Sequence, residues 1–247
     1  MRKYLTIATI QEASDVEKDI EACKKAVRLY PDDAKAHINL SIAYGKLGMH
    51  KEAIKACKQA IRIDPDNYFA HYNLGAAYGN LGKYQEEIEQ YKQAIKINPD
   101  YVGVHILLGV AYYDSVKYRD AIGSFKQALR INPDSAEAYS HLGAAYHNSG
   151  LHQEAIETYK QALRISTDIA KVHFSLGLAY GCLGIHKEAI ESFKQAVKIN
   201  PDDAKAHYSL GVAYVFSKDR DSALEQYEIL KNLDPRLANK LYSRIGE

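Results

Sequence analysis

The sequence predicts an all-α fold, a right-handed solenoid of stacked antiparallel helix pairs. Three observations favour it: a fixed period along the chain, helical spacing of apolar residues within each period, and turn residues at the period's ends. The period is 34 residues, and every proline lies on it, with Thr167 in the one remaining position: Pro31, Pro65, Pro99, Pro133, Pro201 and Pro235. A repeat of this length indicates an array of identical supersecondary units, each of which buries its apolar faces only against its neighbours.

The first helix of each unit follows the proline. In the first unit its apolar residues lie at i, i+3, i+4 and i+7, which is one face of a helix: Leu40, Ala43, Tyr44 and Leu47. Asp32 or Asp33 caps the free N–H groups at its start, and Gly48 provides a left-handed stop.

The second helix of the unit shows the same spacing of three to four residues. Its apolar positions in the first unit are Ala53, Ile54, Cys57, Ala60 and Ile61. Small residues at some of these positions allow close approach of the paired helices, and the larger ones fill the remaining space.

The two ends differ from the repeats. Ser14 to Glu17 form a capping box that opens a helix ending before Pro31, and Leu237, Leu241 and Ile245 form an apolar stripe on a last helix. We therefore expect an N-terminal tail and half-repeat helix at 1–30, the repeat array at 31–235, and a capping helix at 236–247. The expected repeats span about 34–67, 68–101, 102–135, 136–169, 170–203 and 204–235.

Several positions keep one residue type in every unit. Leucine recurs at 40, 74, 108, 142, 176 and 210, and tyrosine recurs at 44, 78, 112, 146, 180 and 214. The fifth unit carries His173, Leu176, Gly177, Tyr180, Ala189, Phe193 and Pro201. This arrangement resembles the tetratricopeptide (TPR) pattern W-x2-L-G-x2-Y…A-x3-F…P, with histidine in place of tryptophan, and the resemblance covers Pro31 to Pro235.

The resemblance implies that the first helix of each unit lines a concave groove that binds a protein or peptide. The groove positions vary between units while the core positions hardly change, and several of the variable residues are aromatic, as at protein interfaces. Ile106, Leu107, Val110 and Tyr113 are expected to form an apolar anchor beside Tyr72. The whole predicted partner-binding set is Asn39, Phe69, Tyr72, Asn73, Ile106, Leu107, Val110, Tyr113, His141, Phe174 and Tyr208.

The sequence thus favours a non-enzymatic adaptor or scaffold, since it contains no phosphate loop, nucleotide fingerprint or nucleophile elbow. Two alternatives stay open. One is a structural module that assembles with itself through its convex face or terminal helices, and the other is the targeting part of a larger enzyme system.

Chaperone-binding members of the family hold a C-terminal carboxylate with lysine, asparagine and arginine. Here the corresponding positions of the first unit hold Ile38 and Ile42, and those of the third hold Gly103 and Leu107. We therefore expect no carboxylate-clamp binding of Hsp70 or Hsp90 tails.

The composition does not favour nucleic acid or a membrane as a partner. Thirty-two basic and 31 acidic residues give a net charge of +1, which does not favour nucleic acid. No apolar run is long enough to span a membrane. Three cysteines without a CxxC pair indicate free thiols and a cytoplasmic location. The lysines that recur on the second helices are expected to form a solvated outer face.

Histidine recurs in one column: His37, His71, His105, His173 and His207. Equivalent positions on stacked helices face along the array and do not converge, so we expect packed rings, no metal site and no cofactor. Glu87 replaces an alanine of the other units and is expected to be a local packing adjustment, not a catalytic group.

Overall fold

The computed structural model describes residues 17–246, and the capping residue Ser14 lies outside them. The chain divides into two compact units, Met1–Lys117 and Tyr118–Glu247. The boundary between the units falls within the third expected repeat. All regular elements in the described part are helices.

The described part of the first unit contains six helices, the first of which, α1, covers residues 17–29. The others are α2 (Ala34–Lys46), α3 (His50–Ile63), α4 (Tyr68–Gly79), α5 (Tyr84–Ile97) and α6 (Val102–Asp114). Within this unit consecutive helices pack against each other, as α2 does with α3 and α4 does with α5.

The second unit continues the same alternation. Its helices are α7 (Tyr118–Ile131), α8 (Ala136–Asn148), α9 (His152–Ile165), α10 (Ala170–Cys182), α11 (His186–Ile199), α12 (Ala204–Phe216), α13 (Arg220–Leu233) and α14 (Pro235–Gly246). The last helix packs on both α12 and α13. None of the helices within 17–246 is long and apolar enough to cross a bilayer.

The predicted turn residues determine where the helices begin and end. Asp33, not Asp32, caps α2, because its side chain accepts a hydrogen bond from the Lys35 N–H at 2.9 Å. The stop between paired helices has positive φ in each repeat: Gly48 (70°), Gly82 (67°), Val116 (63°), Gly150 (79°), Gly184 (71°) and Lys218 (60°). The left-handed stop expected at Gly48 is confirmed, and the fold imposes the same conformation on a valine and a lysine.

Paired helices approach closely at the glycine that follows the leucine column. A Cβ atom on Gly177 would lie 2.6 Å from Cε1 of Phe193, and one on Gly143 would lie 2.6 Å from Tyr159. These aromatic rings are almost completely buried. The glycine therefore leaves the space that the ring of the second helix fills.

The histidine column connects each first helix to the linker before it. In every case Nε2 donates to a backbone carbonyl six residues earlier: His37 to Pro31 (2.9 Å), His71 to Pro65 (3.2 Å), His105 to Pro99 (2.7 Å), His173 to Thr167 (3.0 Å) and His207 to Pro201 (2.9 Å). Since a carbonyl only accepts, the hydrogen sits on Nε2. Thr167 preserves the contact because the acceptor is main chain.

The lysines of the second helices are exposed, and their ammonium groups also contact the next repeat. Each Nζ lies over a ring of the tyrosine column: Lys58 over Tyr78 (6.0 Å to the centroid), Lys92 over Tyr112 (5.7 Å), Lys126 over Tyr146 (5.5 Å), Lys160 over Tyr180 (5.9 Å) and Lys194 over Tyr214 (5.9 Å). We call these contacts the lysine–tyrosine ladder. It joins a second helix to the first helix of the following repeat through a cation–π interaction.

Candidate functional site

The first helices of neighbouring repeats form a layer within each unit. In the first unit α2 contacts α4, and in the second unit α8 contacts α10 and α10 contacts α12. The side of this layer that carries the predicted partner-binding residues is called the first-helix face. The two units are described separately.

Aromatic rings cluster on the first-helix face of the first unit. Phe69 is 46% exposed, and its ring lies 4.1 Å, centroid to centroid, from the ring of Tyr68, with the two planes tilted by 30°. Tyr101, at the start of α6, lies edge-on to both Phe69 (6.3 Å) and Tyr72 (6.1 Å). Tyr68 and Tyr101 were not predicted from the sequence, because they precede the helical positions that the groove pattern selects.

Tyr72 links this aromatic cluster to the core. Its ring is half-buried and lies 6.3 Å from the ring of Tyr91, which is buried. Burial raises the pKa of the Tyr72 hydroxyl, and the neighbouring Tyr101 adds to the effect. The phenol therefore stays neutral and available as a hydrogen-bond donor near neutral pH.

The two asparagines on this face differ in what they leave for a partner. Asn39 is exposed. The Asn73 side chain is half-buried, and its amide nitrogen donates to the Phe69 carbonyl at 2.7 Å. That bond fixes the orientation of the amide and turns its oxygen away from its own helix as an acceptor.

The third-repeat residues of the predicted anchor are unequally exposed. Ile106 is buried, with 7% of its surface exposed, so it offers a partner the least area of the set. Leu107, Val110 and Tyr113 are half-buried. Leu107 packs against the core around Ile88.

Two of the three predicted residues of the second unit, His141 and Phe174, lie against rings of the core. His141 is half-buried and stacks on Phe125, with centroids 5.5 Å apart and planes at 12°. Phe174 lies 5.7 Å from Phe193. Nζ of Lys240 lies over the Tyr208 ring, 5.4 Å from the ring centroid. The Tyr208 hydroxyl is buried and has no hydrogen-bond partner among the described residues.

An apolar cavity of about 270 Å³ opens on the first-helix face of the second unit, between α10 and α12. Leu178 and Val212 form its walls, Tyr208 lines it, and Phe216, 59% exposed, stands at its edge. A Cβ atom on Gly181 would meet nothing within 4 Å, which leaves space beside the cavity.

The sequence predicts an apolar anchor around the third repeat and does not predict this cavity. Its volume depends on how the side chains of two successive repeats fill the gap between them, and a residue pattern does not report that. A detectable signal was the pair of large aliphatic residues at equivalent positions, Leu178 and Val212.

Glu87 is buried, 8% exposed, over Gly79, where a Cβ atom would lie 2.5 Å from its Oε1. Burial raises the pKa of its carboxyl group to about 7, with a further contribution from Asp114, while the hydrogen bond from the Tyr91 hydroxyl acts in the opposite direction. Its side chain fills the space over Gly79 in the helix pair, which agrees with a packing role.

The fold and the first-helix face define a class of helical-repeat interaction proteins. The family model described as the cilia and flagella-associated protein 70 C-terminal domain, a TPR domain, matches residues 5–237. The chain belongs to this TPR family. The resemblance to TPR proteins and the all-α fold of helix pairs, both predicted from the sequence, are confirmed.

Solved structures of TPR proteins are similar. A structure of MamA is 31% identical, with a TM-score of 0.63, over 67% of this chain and 97% of MamA. A structure of YrrB, described as a TPR protein with an unusual peptide-binding site, is 21% identical, with a TM-score of 0.65, over 76% of this chain and 96% of YrrB. Pseudomonas aeruginosa PilF is 19% identical, with a TM-score of 0.71, over 85% of this chain and 96% of PilF. A comparison with curated proteins gave no match. Membership of the family supports a general protein-binding role and gives no support for catalysis.

Proposed function

We propose that the chain is a non-enzymatic adaptor that binds a peptide or a segment of a partner protein along the first-helix face. The observation that carries this proposal is the apolar cavity between α10 and α12. It is smaller than the roughly 300 to 1,000 Å³ of sites for drug-sized ligands, which favours one or two side chains as its occupant. An aliphatic or aromatic side chain of the partner is the chemistry that its walls recognise.

The buried hydroxyl of Tyr208 adds a polar requirement to the cavity. A phenol without a partner is costly in an apolar setting, so an incoming acceptor that reaches it gains a hydrogen bond. A partner whose anchor side chain is followed by a main-chain carbonyl satisfies both features.

The aromatic cluster of the first unit supports the same function independently. Phe69 and Tyr72 present ring surface, and Asn39 and the oriented amide of Asn73 present polar groups next to it. A combination of aromatic and amide side chains suits recognition of an extended peptide, whose backbone offers both donors and acceptors.

The test begins with a random peptide library selected against the full chain. Affinities of selected peptides are then measured for Leu178→Glu in the second unit and Leu107→Glu in the first. A charged side chain in either apolar site is expected to weaken the peptides that use it by at least about ten-fold, since a buried unpaired carboxylate is strongly unfavourable.

The matched control is Ile165→Glu, because Ile165 is an aliphatic residue at the end of the second helix α9 and is about as exposed as Leu178. It is expected to leave peptide affinity unchanged. The proposal is wrong if selected peptides bind both first-helix-face variants as tightly as the unchanged chain, or if Ile165→Glu weakens binding equally.

A further inference from the structure

Three side chains able to bind a metal ion converge in the second unit from three helix ends. His147 lies in the last turn of α8, His152 begins α9 and Cys182 ends α10. One potential ligand atom from each lies within 4.8 Å of the others. The two imidazole rings have centroids 4.9 Å apart at an interplanar angle of 57°.

Each histidine of this cluster has a ring nitrogen that the described residues leave without a hydrogen bond. Nδ1 of His147 and Nδ1 of His152 are buried and have no hydrogen-bond partner among the described residues. Buried polar atoms are nearly always paired, because leaving them unpaired costs free energy. His173 and the other histidines of its column differ, because their Nε2 atoms donate hydrogen bonds to linker carbonyls.

Rigid turns hold the cluster on both sides. Between the histidines, the Leu151 N–H donates to the Tyr146 carbonyl at 2.9 Å. After Cys182, the Ile185 N–H donates to the Tyr180 carbonyl at 3.0 Å. Since α8 and α9 both pack on α10, the three helix ends are held together before any ion binds.

We propose that His147, His152 and Cys182 bind one first-row transition metal ion, of the class represented by Zn²⁺. Two imidazole nitrogens and one thiolate are ligands that zinc and its neighbours prefer, whereas Mg²⁺ and Ca²⁺ take oxygen. Bond lengths of about 2.0–2.1 Å to nitrogen and 2.3 Å to sulfur require only rotation of the side chains to bring the ligand atoms together.

Three protein ligands leave the fourth tetrahedral position open. Cys182 is exposed and also lines the apolar cavity between α10 and α12. The ion is therefore accessible to water and to a group from whatever occupies that cavity.

The repeat itself provides an internal comparison. The first repeat has His50 at the position of His152, but Gly45 and Asn80 stand in place of the other two ligands. One repeat later, His186 is equivalent to His152, and Phe216 stands at the position equivalent to Cys182. The His186 ring stacks on the Phe216 ring, with centroids 5.3 Å apart and planes at 4°. Only the set at 147, 152 and 182, from the fourth repeat and the start of the fifth, has a metal-binding side chain at all three positions.

The experiment is a titration of the full, metal-free chain with Co²⁺ under a non-chelating reductant, followed by displacement with Zn²⁺. One equivalent of Co²⁺ is expected to give thiolate-to-cobalt charge-transfer absorption. Cys182→Ser should abolish this band, and because Cys182 is exposed, the substitution leaves the fold intact by circular dichroism. His147→Ala and His152→Ala should each weaken Zn²⁺ binding by at least about ten-fold.

The matched control is His50→Ala, which removes a histidine with the same buried, unpartnered Nδ1 and is expected to bind Zn²⁺ as the unchanged chain does. Absence of the cobalt band would overturn the proposal. So would one-to-one Zn²⁺ binding that survives Cys182→Ser and His152→Ala, or a metal-dependent dimer in light scattering, since the site is proposed within one chain.

Discussion

Val116 has a backbone conformation that its side chain opposes. Its φ of 63° lies in the left-handed region, where the equivalent stops at 48, 82, 150 and 184 have glycine. A side chain there costs about 1–2 kcal/mol, and a β-branched one is the least tolerated. The 68% exposure of Val116 shows that little packing offsets the strain.

Val116→Gly is therefore expected to raise the free energy of unfolding by about 0.5–1 kcal/mol, the relief of strain less the entropy cost of glycine. Urea denaturation monitored by circular dichroism measures the change. Val116→Ala is the control, since alanine keeps a Cβ at positive φ and should gain less. A glycine variant no more stable than the alanine variant contradicts the argument.

Glu87 makes stability depend on pH. Its folded-state pKa of about 7 lies above the unfolded value of 4.5, because burial disfavours the charged carboxylate. Between these values the folded chain binds more protons than the unfolded chain, so the free energy of unfolding falls as pH rises from about 5 to 8.

We expect Glu87→Gln to reduce that fall by about 1–3 kcal/mol while keeping an acceptor for Tyr91. Denaturation curves at pH 5 and pH 8 give the comparison. Glu86→Gln is the control, because Glu86 is exposed and its 3.6 Å ion pair with Lys83 is on the surface. Equal pH dependence in the unchanged chain and Glu87→Gln would refute the assignment.

Helix α14 closes the apolar end of the second unit. Leu241 is completely buried in the core cluster, with its Cδ2 against the α-carbon of Gly211 in α12. The stripe predicted from Leu237, Leu241 and Ile245 thus faces inward, and self-association through α14 would have to use its other side.

Leu241→Ala is expected to lower the free energy of unfolding by about 2–4 kcal/mol, from lost burial and the cavity left behind. Thermal unfolding of the second unit, Tyr118–Glu247, within the full chain measures the effect. Asn239→Ala, an exposed position on the same helix, should change stability little. A small effect of Leu241→Ala would mean that α14 does not cap the core.

The periodic fold of the whole molecule was predictable because one feature, the 34-residue grid, places every helix and turn. The candidate site was less predictable. The cavity beside Leu178 depends on side-chain volumes from two repeats, and the cluster at His147 unites three different columns at helix ends. The expectation of no metal site rested on equivalent positions of the repeat, whereas His147, His152 and Cys182 occupy three different positions.

At the scale of the array, contacts between repeats recur with the period, so whole repeats should be removable. Deletion of 170–203 joins Ile169 to Ala204 and brings Tyr214 to the place of Tyr180 beneath Lys160. We expect the shortened chain to unfold cooperatively with lower stability, as nearest-neighbour models require. Deletion of 170–185, which removes α10 with the turn after it and leaves α11 unpaired, is the control and should abolish cooperative thermal unfolding. Similar melting of the two deletions would contradict the nearest-neighbour account.

The lysine–tyrosine ladder has a mechanical consequence. Each rung contributes about 0.5–1 kcal/mol as an exposed cation–π contact and acts between consecutive repeats. Acetylation of a ladder lysine removes the charge and with it the rung. We therefore expect acetylation of these solvent-accessible amines to weaken the contact between consecutive repeats and to make each unit easier to deform, without a change in its core.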